Sequence, residues 1–229
     1  MIRRGRFLLT ASTALAGASF VPAAAQMMNA SEASPHAEPK EREFIVDATR
    51  YLHGAYAKPE AAERAGFVRF TNEDKTGAIS YANLHWTSTD AQHPSQVWYD
   101  MKGQLLGADY SVLQTDSPNR PNLWNIDPRR WITLRAHMHY GIREADGTIK
   151  YGGLSTKKFE DAGGTISDPK KEVLVSMGLA KSPSDVAFVF LFPAIWDLQL
   201  WVIPNPDGEF AEYNPKIKPQ NAQKHPMDM

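Results

Sequence analysis

Along the chain, the spacing of apolar positions changes near Gly77, and that change predicts the architecture. From Arg42 to Ala57 the apolar residues are Phe44, Ile45, Ala48, Tyr51, Leu52, Ala55 and Tyr56, which trace one face of a helix. Lys58-Pro59-Glu60 restarts a short helix, with Pro59 suited to a first-turn position that needs no N–H, and Gly66 closes it. Beyond Gly77, aromatic and β-branched residues alternate with polar ones between Gly and Pro breaks, the pattern of strands. The expected strands are Ile79–Ser88, Gln96–Met101, Gln104–Gln114, Trp131–Glu144, Thr148–Leu154, Ala187–Phe192 and Trp196–Ile203. Lys102-Gly103 and Asp146-Gly147 supply hairpin turns, the second being the stronger signal. Asp116–Arg130, broken by Pro118, Pro121 and Pro128, reads as a loop, and Asp168–Gly178 as a helix. The expected fold class is α+β: an N-terminal helix packed on a mostly antiparallel, curved β-sheet, with one inserted helix.

The two ends follow other rules. Arg3, Arg4 and Arg6 precede an apolar run from Phe7 to Phe20, and Ala23-Ala24-Ala25 follows it. That order is a secretory signal peptide over residues 1–25. Its apolar run is ~14 residues, short of the ~20 that span a bilayer, so no transmembrane anchor is expected after cleavage. Arg3-Arg4 near Phe7-Leu8 resembles a twin-arginine signal with one residue too many, so the Sec and twin-arginine routes both stay open. The expected location is periplasmic or secreted. Residues 26–41 read as a mobile lead-in, 42–217 as a single domain and 218–229 as a disordered tail. Both ends carry Met and His, a weak copper-handling signal that frayed polar tails explain more simply.

Composition narrows the chemistry. The 229 residues are 42% hydrophobic, which is too apolar for a disordered chain. Lys and Arg number 25 against 26 Asp and Glu, for a net charge of −1, and removing three signal-peptide arginines makes it −4. Such a balance gives no reason to bind nucleic acid. The chain has no cysteine, which removes disulfides, thiolate nucleophiles and iron–sulfur ligation and leaves imidazole as the main ligand and proton carrier.

Strand 131–144 carries the strongest chemical pattern. Ile132, Leu134, Ala136, Met138 and Tyr140 alternate with Thr133, Arg135, His137 and His139. Two histidines two apart leave one face of a strand about 7 Å apart along it, close enough to hold one metal ion. Tyr81, Asn83, His85 and Thr87 share a face of an earlier strand, and Asp197, Gln199 and Trp201 share one of a later strand. If these faces meet, His85, His137 and His139 are the candidate metal ligands. Arg135, Gln199, Asn83 and Trp201 are then the ligand-binding set, and Asp197 or Asp109 could complete the coordination. Imidazoles with an open position suit Zn, Fe, Cu or Ni rather than Ca or Mg. A metal-free polar pocket and a solvated strand face stand beside the metal reading. No Gly-x-Ser-x-Gly elbow, His-Glu-x-x-His, phosphate loop or Rossmann fingerprint is present.

Three blocks together resemble an uncharacterised family of exported bacterial proteins. They are Ala61-Ala62-x-x-Ala65-Gly66-Phe67 followed by Asn83-Leu84-His85-Trp86; Pro94–Asp100 leading into Gly103–Val112; and Trp196–Trp201 followed by Asn205-Pro206-Asp207-Gly208-Glu209-Phe210. The resemblance implies a site histidine at His85 and a second histidine where this chain has Gln199. It attaches no activity. The expected function is an exported small-ligand protein with a His-lined polar pocket, possible metal dependence included. The alternative is a non-enzymatic periplasmic binding or structural module for an aromatic or hydrophobic ligand.

Overall fold

The structure is a computed structural model that describes residues 31–221. The expected signal peptide and the expected Met- and His-bearing ends at 27–28 and 225–229 lie outside these residues. The fold is α+β, as the pattern predicts. Its strands are β1 Val68–Arg69, β2 Ile79–Ala82, β3 Gln96–Tyr99, β4 Leu105–Leu113, β5 Ile132–Leu134, β6 His137–Arg143, β7 Ile149–Ser155, β8 Val186–Phe192 and β9 Ile195–Trp201. The helices are α1 Arg42–Ala55, α2 Pro59–Arg64, α3 Thr156–Asp161 and α4 Lys171–Ser176.

Instead of one curved sheet there are two open ones, both antiparallel. The larger has the order β1-β2-β3-β4-β9-β5 and the smaller β7-β6-β8. The expected strand 131–144 is two strands, one in each sheet. β5 pairs with β9 up to Leu134 opposite Ile195, and β6 begins with His137 opposite Phe192. The chain therefore crosses between sheets at Arg135-Ala136 and again, alongside, at Pro193-Ala194. Proline has no N–H to continue a ladder, which stops β8 there. Gln114 secures the corner, its backbone N–H donating to Ala194 O (3.0 Å) and its side-chain amide to Ile195 O (2.9 Å).

Layering follows from alternation along the strands. Phe44, Ile45, Ala48 and Leu52 of α1 pack on Tyr99, Tyr110, Leu198 and Leu200, on one face of the six-stranded sheet. The small sheet packs Met138, Ile142 and Leu154 against Phe159 of α3 and Leu174 of α4. Two short helices thus cover the small sheet where one insertion was expected. Between the sheets lies an aromatic layer in which Phe70, Trp86 and Phe192 meet Ala82, Ile195 and Leu134, with Phe188 and Phe190 against them.

The lead-in is tied down where it is described. Glu41 is buried and paired with buried Arg130, Nε to Oε1 at 2.6 Å and a second guanidinium nitrogen to Oε2 at 2.7 Å. Arg130 also donates to the carbonyls of Ser34 and His36 and lies 4.1 Å over the Phe210 ring. Gly208 sits at φ +114°, and a Cβ there would come within 2.4 Å of the Pro35 carbonyl oxygen. The Asn205–Gly208 turn of the third sequence block therefore serves as a seat for residues 34–37. At the other end, Glu73 accepts from the backbone N–H groups of Gln220 and Asn221, so the first residues of the expected tail are held as well.

Candidate functional site

The corner at Arg135-Ala136 decides where the histidines point. His137, His139 and Gly141 stand opposite Phe192, Phe190 and Phe188 on β8, and opposed residues share a face of a sheet. That face is turned toward the other sheet. His137 is 8% and His139 1% exposed, so neither faces bulk water.

The two rings meet through their outer nitrogens. His137 Nε2 lies 2.9 Å from His139 Nε2, and His137 Nδ1 lies 2.8 Å from the Arg135 carbonyl oxygen. A carbonyl only accepts, so His137 Nδ1 carries a hydrogen toward it. In the neutral ring, Nε2 of His137 then offers its lone pair, and His139 Nε2–H donates into it. The surroundings are aromatic rather than polar. Phe192 stacks on His137 at 4.5 Å between ring centres, Phe70 meets His139 edge-on at 4.8 Å, and Phe190 lies parallel to His139 at 5.8 Å. Trp86 packs on Phe192 at 4.4 Å.

No protein-family model, curated protein or solved structure matches the chain.

The remaining expected site residues scatter. β2 ends at Ala82, so His85 is not on a strand. Leu84 and Trp86 take left-handed backbone angles of φ 61° and 57°, breaking the alternation that aligned Tyr81, Asn83, His85 and Thr87. The outcome is an exposed His85 whose backbone N–H donates to Asn83 Oδ1 at 2.9 Å, while Asn83 Nδ2 donates to Pro94 O at 2.8 Å. Asn83 thus closes a turn. Arg135 is exposed and contributes its carbonyl, not its guanidinium. Trp201 is core: its indole N–H donates to Ala211 O at 2.7 Å and its ring packs edge-on to Trp98 at 5.5 Å. Gln199 stands opposite Asp109 on the face turned toward the small sheet. Among the described residues, no three His, Asp or Glu side chains are grouped to hold a metal ion.

Asp109 and Asp197, considered above as extra ligands, pair with each other instead. Ser111 and Asp197 stand opposite one another on β4 and β9, one step along from Asp109 and Gln199 on the same face. Trp98 Nε1 donates to Asp109 Oδ2 at 2.8 Å, and Ser111 Oγ donates to Asp197 Oδ1 at 3.1 Å. Burial and then the neighbouring Asp197 charge push Asp109 well above the usual carboxylate range. Burial raises Asp197 to about 7, against the hydrogen bonds from Ser111 and Asp109. Asp109 is therefore the protonated partner, donating to Asp197.

The aromatic walls are not singled out above among the expected site residues. One signal was available: Phe188, Phe190 and Phe192 recur at every second residue, as His137 and His139 do, and such stripes coincide when strands pair. Phe70 and Trp86 come from irregular segments and carry no such periodicity.

Proposed function

We propose that the protein is exported and binds a small ligand at the His137–His139 pair, with a transition metal as the ligand-bearing group. One observation carries this reading: two Nε2 atoms converge to 2.9 Å inside an aromatic enclosure. Both point at one place, and the Arg135 carbonyl fixes the His137 tautomer that leaves Nε2 as the donor atom, as outer-shell hydrogen bonds do for metal-binding imidazoles. Two nitrogens bound tetrahedrally to zinc at about 2.0–2.1 Å lie ~3.4 Å apart, so binding would need a small tilt of each ring and the transfer of the His139 hydrogen from Nε2 to Nδ1. Imidazole donors suit Zn, Cu, Ni or Fe, and two protein ligands leave positions open for a small molecule or water. His85, exposed on an irregular segment, is left out of the proposed site.

The test uses full-length protein stripped of metal. Its melting temperature is followed with Zn(II), Cu(II), Ni(II) and Fe(II) and with a panel of aromatic acids, for the wild type, His137→Ala and His139→Ala. We expect at least one metal to raise the melting temperature of the wild type and neither variant to respond, because a ligand stabilises only a state that binds it. Wild type indifferent to every probe, or variants responding like wild type, overturns the reading. A second reading, a metal-free module for an aromatic or hydrophobic ligand, is favoured by the Phe70, Phe190 and Phe192 rings packed on the imidazoles. A response to aromatic acids with none to metals selects it.

A further inference from the structure

Gln96, Asp109 and Gln199 form one row across β3, β4 and β9, with Asp109 opposite both glutamines. Trp98 donates to Asp109, and Ser111 of β4 donates to Asp197 of β9. Gln96 and Gln199 stand two residues along from Trp98 and Asp197, so the whole row shares the face turned toward the small sheet. Gln96 is 4% exposed, and among the described residues its side-chain amide has no hydrogen-bond partner. A buried amide ordinarily has one. The Gln199 side chain is half-buried and likewise without a partner.

The row lies beside a charge that has no counter-ion. β2, β3, β4, β5 and β9 contain no lysine, arginine or histidine. Once Asp197 ionises, it and Asp109 carry one negative charge between them, and their other donors, Trp98 and Ser111, are neutral. The next charge acting on Asp109 is that of Asp74, another carboxylate. Buried charges are ordinarily paired with a cation. The row also reaches an opening. β5 pairs with β9 only from Ile195 to Asp197, so no strand flanks Gln199 on its outer side. Asp109 itself keeps 8% exposure. Trp98 and Trp201, edge-on at 5.5 Å, stand next to the row along the strands, and beyond Gln96 lies Ala82, against Phe70 and Trp86.

We propose that the Gln96–Asp109–Gln199 row binds the cationic head of a small amine or guanidine. The two glutamine carbonyls accept its N–H groups, and Asp109 receives it on Oδ1, the oxygen that Trp98 does not hold. Neighbouring strands are ~4.8 Å apart, so acceptors spread along the row suit a head that donates in several directions, as ammonium and guanidinium do. One proton lies between the two carboxyls. A cation beside Asp109 draws that proton across to Asp197 and the negative charge to itself, and no strand pairing is broken. An organic cation fits better than a metal ion, since no three His, Asp or Glu side chains are grouped among the described residues. The site contains no imidazole and does not depend on the His137–His139 pair being a binding site.

Calorimetric titration of full-length protein at pH 8 tests this, with methylguanidinium, butylammonium and benzamidinium chlorides as probes. Methylurea, which has N–H groups without the charge, and tetramethylammonium, which has the charge without N–H groups, are the controls. The wild type should bind at least one probe, one per chain, and neither control. Gln96→Leu and Gln199→Leu should each weaken binding at least tenfold, the worth of a hydrogen bond to a charged group. Gln96→Leu should do so without lowering the melting temperature, because the amide it removes has no partner. Asp109→Asn, which can still donate to Asp197 and accept from Trp98, confines the charge to Asp197 and should weaken binding too. His137→Ala should bind like the wild type. A wild type that binds no probe at millimolar concentration, or binds the controls equally, overturns the proposal. So does unchanged affinity in Gln96→Leu and Gln199→Leu. Loss of binding in His137→Ala overturns it as well, since the cation then sits at the imidazole pair.

Discussion

The two sheets each bury a pair of titratable side chains facing the other sheet, and hold them in different ways. Asp109 and Asp197 stand on adjacent strands in the middle of six, and their partners Trp98 and Ser111 belong to the same ladders. Ser111 Oγ is in turn 2.6 Å from Ser95 Oγ, which donates to the Asp109 carbonyl oxygen. Displacing either carboxyl breaks several bonds spread over three strands. His137 and His139 stand on one strand in the middle of three, bonded to each other and walled by rings. At the site proposed above, a ligand entering between them would displace the bond that joins the two rings. The carboxyls of the wide sheet stay bonded to each other. In the narrow sheet the polar groups are the ones we propose to exchange for a ligand.

The largest expected effect is on the support of the wide sheet. Burial opposes ionisation of Glu41, but hydrogen bonds from Arg130 and from the Asp127 and Glu38 backbone N–H groups outweigh it and hold its carboxyl below the usual range. Glu41→Gln leaves the Arg130 charge buried without its counter-ion. That should cost about 3–5 kcal/mol in urea unfolding. The folded fraction should still respond to ligand at the histidine pair with unchanged affinity. Loss of affinity in the folded fraction would mean that the two halves are not separable.

The carboxyl pair gives a pH signature. Unfolded Asp197 loses its proton near 3.8, whereas the folded pair keeps it to about 7. Between these values the folded state binds more protons, so stability is greatest at the acid end and falls as pH rises through the window. Asp127, held down to about 2 chiefly by its hydrogen bond from Arg129, has the opposite sign but acts only below the ordinary carboxylate range. Unfolding free energies from pH 4.5 to 7.5 should therefore decline more steeply in the wild type than in Asp197→Asn. Parallel slopes would show that folded Asp197 does not keep its proton through this window.

Much of this was legible in the sequence, and the failures share a cause. Helical periodicity located α1, and turn chemistry located the Asp146-Gly147 hairpin, because both are decided by near neighbours. The break at Arg135-Ala136 is decided by Pro193, more than fifty residues away, through the pairing of β6 with β8. Alternation assigned His137 and His139 correctly to one face but could not say that the face is turned inward on phenylalanine. His85 was misplaced by two left-handed residues that no apolar pattern records. Glu41 and Arg130 looked like ordinary charges in a lead-in and a loop, and only tertiary packing makes them partners.

Glycines compare the stiffness of the sheets directly. A Cβ at Gly107 would lie 2.4 Å from the Leu200 carbonyl oxygen and 2.6 Å from the Trp98 ring, and that backbone cannot retreat. At Gly152, on the edge strand β7, it would meet the half-buried Tyr140 ring at 2.3 Å. Gly107→Ala should cost about 1–3 kcal/mol, the range for overpacking a dense site. Gly152→Ala should cost less, because Tyr140 can rotate outward. Equal losses by thermal melting would mean that the narrow sheet is as rigid as the wide one.

The smallest change in stability should accompany the largest change in function. His139→Phe puts a ring of similar shape into a layer already built from Phe70, Phe190 and Phe192. Shape-preserving apolar packing offsets the hydrogen bond lost by His137 Nε2, so the net shift should stay within about 1.5 kcal/mol. The same substitution removes one of the two converging nitrogens, and the ligand-induced rise in melting temperature should vanish with it. The equivalent exchange in the wide sheet, Asp197→Leu, fills the same kind of space but leaves Ser111 Oγ and the Asp109 hydroxyl without their acceptor, and should destabilise more. If His139→Phe proves the more damaging of the two, the imidazole pair is holding the sheets together, and its place as the exchangeable pair is lost.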